Sequence, residues 1–168
     1  IPQRDPLYKD LVFFERNIAG IMPLEIVIDT RRPGGILRPG TLASIDQLQG
    51  LLAGYPELSK PLSVAEIMKY ARQAFYLGNP MMYDLPHRHD RGFIQSYLPG
   101  AELGGSNILR SLADSSMQKT RVSVQMANIG TTDIRRIQNQ LRPGLDSIFD
   151  PDSYDVEITG TSVVFLKG

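Results

Sequence analysis

Arg121-Val-Ser-Val-Gln-Met126 alternates polar and apolar side chains, and Asp155-Val-Glu-Ile-Thr-Gly160 does the same. Between them, Thr132 to Phe149 reads as a helix, with Ile134, Ile137, Leu141, Leu145 and Ile148 on one stripe. A strand of period two buries one face, and a helix of period 3.6 buries one stripe. One-sided strands flanking an amphipathic helix predict an antiparallel sheet with helices on one face. Pro143 lies inside the helical stretch; it removes a backbone donor, so a bend near Gln140 or two shorter helices are expected. The chain closes on an apolar run, Ser162-Val-Val-Phe-Leu166, and begins at Ile1 rather than Met, so it reads as a piece of a larger protein.

The same pattern recurs upstream. Pro23-Leu-Glu-Ile-Val-Ile-Asp29 puts Leu24, Ile26 and Ile28 on one face of a strand expected to pair antiparallel with 121–127 at the sheet centre, with 155–160 on an edge. Arg31 to Gly40 holds three Gly, two Pro and three Arg and reads as a loop. A helix is expected from Thr41, with Leu42, Ile45, Gln49 and Leu52 on its inner face and Gly54 and Pro56 beyond its end. Pro61-Leu-Ser63 reads as a short strand that Pro61 confines to an edge. Ser63-Val-Ala-Glu66 has capping-box spacing and opens a helix with Val64, Ile67, Met68, Ala71 and Phe75 as its apolar stripe.

At the start of the chain, Asp5-Pro6 reads as an N-cap and first helical residue ahead of Leu7, Leu11, Phe14 and Ile18. Short helices are expected at Phe93–Leu98 and Asn107–Leu112. Setting aside the first helix and the segment 64–112, the order is β-α-β-β-α-β. The predicted fold is therefore α+β and ferredoxin-like, with an antiparallel sheet, helices on one face and a helical insertion between the halves. The expected organisation is one domain: a linker helix at 1–20, a first half at 21–63, a mainly helical insert at 64–112, and a second half at 113–168.

Composition narrows the function. The 168 residues are 42% hydrophobic, enough for a core. Lys+Arg and Asp+Glu number 18 each, so no basic excess exists to grip phosphate backbones, and no nucleic-acid partner is expected. Without cysteine the chain has no disulfide, thiolate nucleophile or Cys-based metal centre. It contains no apolar run of about 18 residues that would span a bilayer.

Few residues point to chemistry. His87-Arg-His89-Asp90 would set two imidazoles on one face of a strand, with Asp84 or Asp90 adding a carboxylate. Pro86 and Gly92 bracket it as an irregular loop, no third His exists, and neither a metal nor another cofactor is expected. Arg31-Arg-Pro-Gly-Gly-Ile-Leu-Arg38 invites an anion-loop reading, but neither G-x-x-x-x-G-K-[ST] nor G-x-G-x-x-G is present, so it reads as a solvated connection. Asp29 at a strand end reads as a turn acceptor. The serines lack a G-x-S-x-G elbow, and no enzymatic activity is expected. Met81, Met82, Phe93 and Tyr97 are the candidates for a substrate path or an interface, because Met and aromatic side chains suit irregular apolar ligands; with Tyr83 they would line a pliable cleft or pack the insert against the sheet.

Four segments stand out in order: Leu11-Val-Phe-Phe-Glu-Arg-Asn-Ile-Ala-Gly20 with Met22-Pro-Leu-Glu-Ile-Val-Ile-Asp-Thr30; Gly78-Asn-Pro80 to Leu85-Pro86; Leu109-Arg-Ser-Leu-Ala-Asp114 to Arg121-Val-Ser-Val-Gln-Met126; and Val156-Glu-Ile-Thr-Gly-Thr-Ser-Val163. Together they resemble the extracytoplasmic (periplasmic) domains of RND-superfamily exporters, in the branch of MMPL-type lipid transporters and Patched-like proteins. The resemblance implies a block between the first two transmembrane helices of an exporter, on the periplasmic face of the inner (cell) membrane. It implies as partners those helices, a second extracytoplasmic domain of the same full-length chain, and hydrophobic or lipid-like cargo. The next reading of the sequence is a non-transport binding module for an apolar ligand or a protein partner, and a third is a small hydrolase on a ferredoxin-like scaffold, since fold alone implies no function.

Overall fold

A computed structural model of the chain describes residues 22–92, 105–126 and 131–159. The helix expected over the first twenty residues, the Phe93–Leu98 helix and the closing apolar run lie outside them.

Three antiparallel strands form the sheet: β1 (Met22–Asp29), β2 (Lys119–Met126) and β3 (Asp155–Thr159), in the order β2-β1-β3. The antiparallel pairing of β1 with β2 and the edge place of β3 are as expected; β2, expected at the centre beside β1, is the other outer strand of the three. Leu24 faces Val124, and Ile26 faces Val122 on one side and Ile158 on the other. Period two therefore gathers Leu24, Ile26, Ile28, Val122, Val124 and Met126 on one face, each fully buried. Two long helices cover it, α1 (Pro39–Ala53) through Ile45, Leu48 and Leu52, and the C-terminal helix through Ile134, Ile137, Leu141 and Leu145.

A second cluster lies beside the first. Helix α2 (Val64–Phe75) contributes Val64, Ile67, Met68 and Ala71, which pack with Ile36, Leu42, Leu62 and Leu112. Leu112 ends the short helix α3 (Gly105–Leu112), at the position expected for a helix over 107–112. Leu85, on the segment after α2, packs against both clusters.

Four expectations are corrected. The segment around Pro61 does not form a continuous strand: it meets β2 through bridges at Leu58↔Met126 and Leu62↔Ser123, so among the described residues three continuous strands stand where four were expected. The Ser59 and Leu62 amides reach the Gln125 and Ser123 carbonyls at 2.8 and 2.9 Å, while Pro61 between them has no amide to give. Of the two outcomes expected at Pro143, division into two shorter helices does not occur: the C-terminal helix, α4, runs from Thr131 to Ile148. Pro143 and Asn139 are both exposed, so the carbonyl freed by the missing donor faces water, while Leu141 and Leu145 anchor the helix on either side. Helix α1 begins at Pro39 rather than Thr41, because proline suits the first helical position and Thr41 turns inward to the Tyr154 hydroxyl, 2.9 Å away. Phe75, expected on the buried stripe of α2, is 41% exposed at the helix end and stacks edge-on with Tyr76.

Candidate functional site

Ser63 caps α2. Its backbone is extended (φ −149°, ψ 169°) and its Oγ accepts the Glu66 amide at 3.3 Å. The Glu66 carboxylate does not complete a capping box here; it turns into the seam between α1, α2 and the segment 79–92. Gln49, on the inner face of α1, donates Nε2 to Glu66 Oε1 at 3.0 Å and accepts Ser63 Oγ at 2.8 Å. The Tyr83 hydroxyl donates to Glu66 Oε2. Lys60 and Lys69 each hold an ammonium 3.8 Å from this carboxylate, and Lys69 also pairs with Asp46 at 2.6 Å. Ser63, Gln49 and Glu66 are all buried, so each spends its polar groups on the others. Burial and the adjacent Glu66 carboxylate both raise the pKa of the Tyr83 hydroxyl, which therefore stays a neutral donor.

A second buried carboxylate fixes the far end of the same segment. Asp90 accepts Arg72 Nε at 3.0 Å, the Tyr76 hydroxyl at 3.1 Å and the His87 amide at 2.7 Å. Burial pushes its carboxyl up, but these donors outweigh burial and hold it below the usual carboxylate range. Arg72 also reaches the Met82 carbonyl at 3.3 Å. Two polar hooks from α2 thus clamp the segment 79–92.

The clamp presents apolar side chains outward. Asn79 accepts the Met81 amide at 3.0 Å and caps a 3-10 turn over Pro80–Met82. Met81 is 85% exposed, and Leu77, with a left-handed φ of 60°, is 98% exposed. Met82 is half-buried, while Tyr83 turns inward to Glu66. Phe93 and Tyr97 lie outside the described residues. His87 and His89 stand 5.9 Å apart, ring to ring, on the exposed flank. Asp90 is committed to Arg72, and among the described residues no three His, Asp or Glu side chains lie close enough to hold a metal ion. Ser63 gives its proton to an amide oxygen, an arrangement that holds a fold together and does not activate a nucleophile. Asp29 accepts the Arg31 amide at 2.8 Å, the turn role expected of it, and also Gln118 Nε2 at 3.0 Å; these bonds lower its pKa.

Sequence reasoning missed the clamp. The available signal was Gln49: a polar side chain on an otherwise apolar stripe needs a buried partner, and Glu66 lay one helix away.

The described residues define an α+β domain with a three-stranded antiparallel sheet. No protein-family model matches the chain, and no curated protein matches it. None of its described helices is long and apolar enough to cross a membrane.

Proposed function

We propose that this chain is a periplasmic domain of an RND-type exporter of the MMPL/Patched-like branch. It forms part of the path for hydrophobic or lipid-like substrates and moves as a body during proton-driven transport. Its partners are the transmembrane helices and the second extracytoplasmic domain of the full-length chain. It catalyses no bond change.

The observation that carries this reading is the outward display of Met81 on a segment held by two buried carboxylates, with Leu77 exposed just ahead of it. Large apolar side chains held in water on a fixed frame suit contact with an apolar partner. The order of the four exporter-like segments supports the transport half of the reading. The ferredoxin-like fold is part of the same proposal. The antiparallel bridges at Leu58 and Leu62, on the side of β2 away from β3, support a fourth strand there. Protection of the Ser59 and Leu62 amides from hydrogen exchange, matching that of β2, tests that strand.

The functional test uses the full-length protein. Met81, Met82, Phe93 and Tyr97 are replaced singly by Asp and export is measured in cells. Loss of export in a folded, membrane-inserted variant is the expected result; normal export in all four removes the segment from the path.

A further inference from the structure

Arg32 and Arg38 are exposed, and neither guanidinium has a hydrogen bond or ion pair with a described residue. They flank a cleft of about 110 Å³, whose wall is completed by Thr30, Thr41, Ser153 and Tyr154 over the backbone of Gly35. No carboxylate lines it. Of the acids next to lining residues in sequence, Asp29 accepts the Arg31 amide and Gln118 Nε2, and Asp152 and Asp155 flank Ser153-Tyr154 without lining the cleft. Thr41 and Tyr154 share one hydrogen bond between two hydroxyls, so one of the two protons is unspent. The Ser153 hydroxyl has no side-chain partner among the described residues and adds a further donor.

The frame around the cleft is fixed. The Thr30, Gly34 and Ile36 amides donate to the Gln118, Ser116 and Met117 carbonyls at 3.0, 2.8 and 3.0 Å. Ile36 is fully buried, and Thr30 Oγ1 donates to the Gln118 carbonyl at 2.7 Å. The loop that reads from sequence as a solvated connection therefore holds the two arginine backbones in set positions.

From this donor set we infer that the cleft binds a phosphate group. Guanidinium forks match the oxygens of a tetrahedral oxyanion, and hydroxyl donors take the oxygens that remain. At about 110 Å³ the cleft admits one phosphate group. The group belongs either to a free phosphate or to the headgroup of a phosphomonoester lipid, and both offer the same oxygens.

The test uses the 168-residue chain labelled with nitrogen-15 at low ionic strength. Titration with inorganic phosphate is expected to give saturable shifts of the Arg32, Ile36, Arg38 and Thr41 amides. Arg32→Gln and Arg38→Gln are each expected to weaken binding about tenfold, as loss of a charged hydrogen bond does, while Arg142→Gln leaves it unchanged. Both arginines are exposed, and an unchanged thermal melt confirms that the variants fold. Absence of saturable shifts, equal binding by the Arg32→Gln/Arg38→Gln double variant, or acetate binding as tightly as phosphate overturns the inference. Flotation with phosphatidic acid vesicles, but not phosphatidylcholine vesicles, lost in the double variant, assigns the lipid headgroup. Phosphate binding without flotation assigns a soluble phosphate.

Discussion

Arg72 and Asp90 pair at 3.0 Å with side chains only 8% and 2% exposed, tying α2 to the turn that follows Pro86. The two residues lie eighteen apart in sequence, and the hydroxyl of Tyr76 joins the same carboxylate. A buried ion pair of this kind adds little net stability, because desolvating two charges offsets their attraction. It does fix one arrangement of the segment between them, since either charge alone is costly to bury.

Removing one partner should therefore cost far more than removing both. Arg72→Ala is expected to lower unfolding stability by about 3 kcal/mol, within the range for a stranded buried charge. An Arg72→Leu/Asp90→Leu double variant should recover most of that loss. Urea denaturation measures both, and hydrogen exchange should show the amides of 84–91 opening first in the single variant. Equal losses in the single and double variants would mean that packing, not charge, holds this segment.

Asp90 also gives the domain a pH dependence with a definite sign. Its folded pKa lies below the ordinary value of 3.8, so the bonded carboxylate adds stability above that value and loses it as pH falls through the folded one. Asp29 and Asp114 shift in the same direction. For Asp114 burial opposes the shift, and the Lys119 amide, the Ser116 hydroxyl and the Gln118 amide outweigh it. The stability difference between the parent chain and Asp90→Asn should be flat from pH 7 to about 5 and shrink below about 4. Denaturant melts across that range check it; a difference that grows in acid reverses the assignment.

Gly35 carries a steric prediction. A Cβ there would sit 2.1 Å from Thr30 Oγ1 and 2.6 Å from Thr30 Cβ. Gly35→Ala must displace Thr30 from its bond to the Gln118 carbonyl, costing about 1–3 kcal/mol as overpacking does. Thermal melting of Gly35→Ala, with Gly40→Ala at an open position in the first turn of α1 as a control, separates crowding from the general effect of adding a Cβ.

Val124 tests the core face. It is fully buried opposite Leu24, beneath α1 and α4. Val124→Asp should leave the domain unfolded at 25 °C, because an unpaired buried charge costs several kcal/mol, a large part of a domain's total stability, about 5–15 kcal/mol. A cooperative melt near that of the parent chain would contradict this.

The sequence by itself determined what depends on local periodicity. Alternation placed Leu24, Ile26, Ile28, Val122 and Val124 on one face, and the 3.6-residue stripe placed Ile134, Ile137, Leu141 and Leu145 against it, because a side chain's direction follows from its position along a strand or helix. The class of sheet and the pairing of β1 with β2 were legible for the same reason. Tertiary structure decided whatever depends on a distant partner. Whether the edge near Pro61 becomes a strand rests on which β2 carbonyls find an amide. Pro143-Gly144 carries helix-breaking residues, yet α4 continues through it, and Gly144 lies where an added Cβ would come within 2.6 Å of Leu51 on α1, a close helix approach that no local pattern announces. Glu66 followed capping-box spacing but took Gln49 and Tyr83 as partners, seventeen residues away on either side. The Arg31–Arg38 loop matches no anion motif, and only its pinning to residues 116–118 sets two guanidiniums around one cleft. Hydrophobic burial is non-directional and can be read from the pattern of one chain segment; hydrogen bonds and close contacts are directional, and their partners are fixed only once the chain has folded.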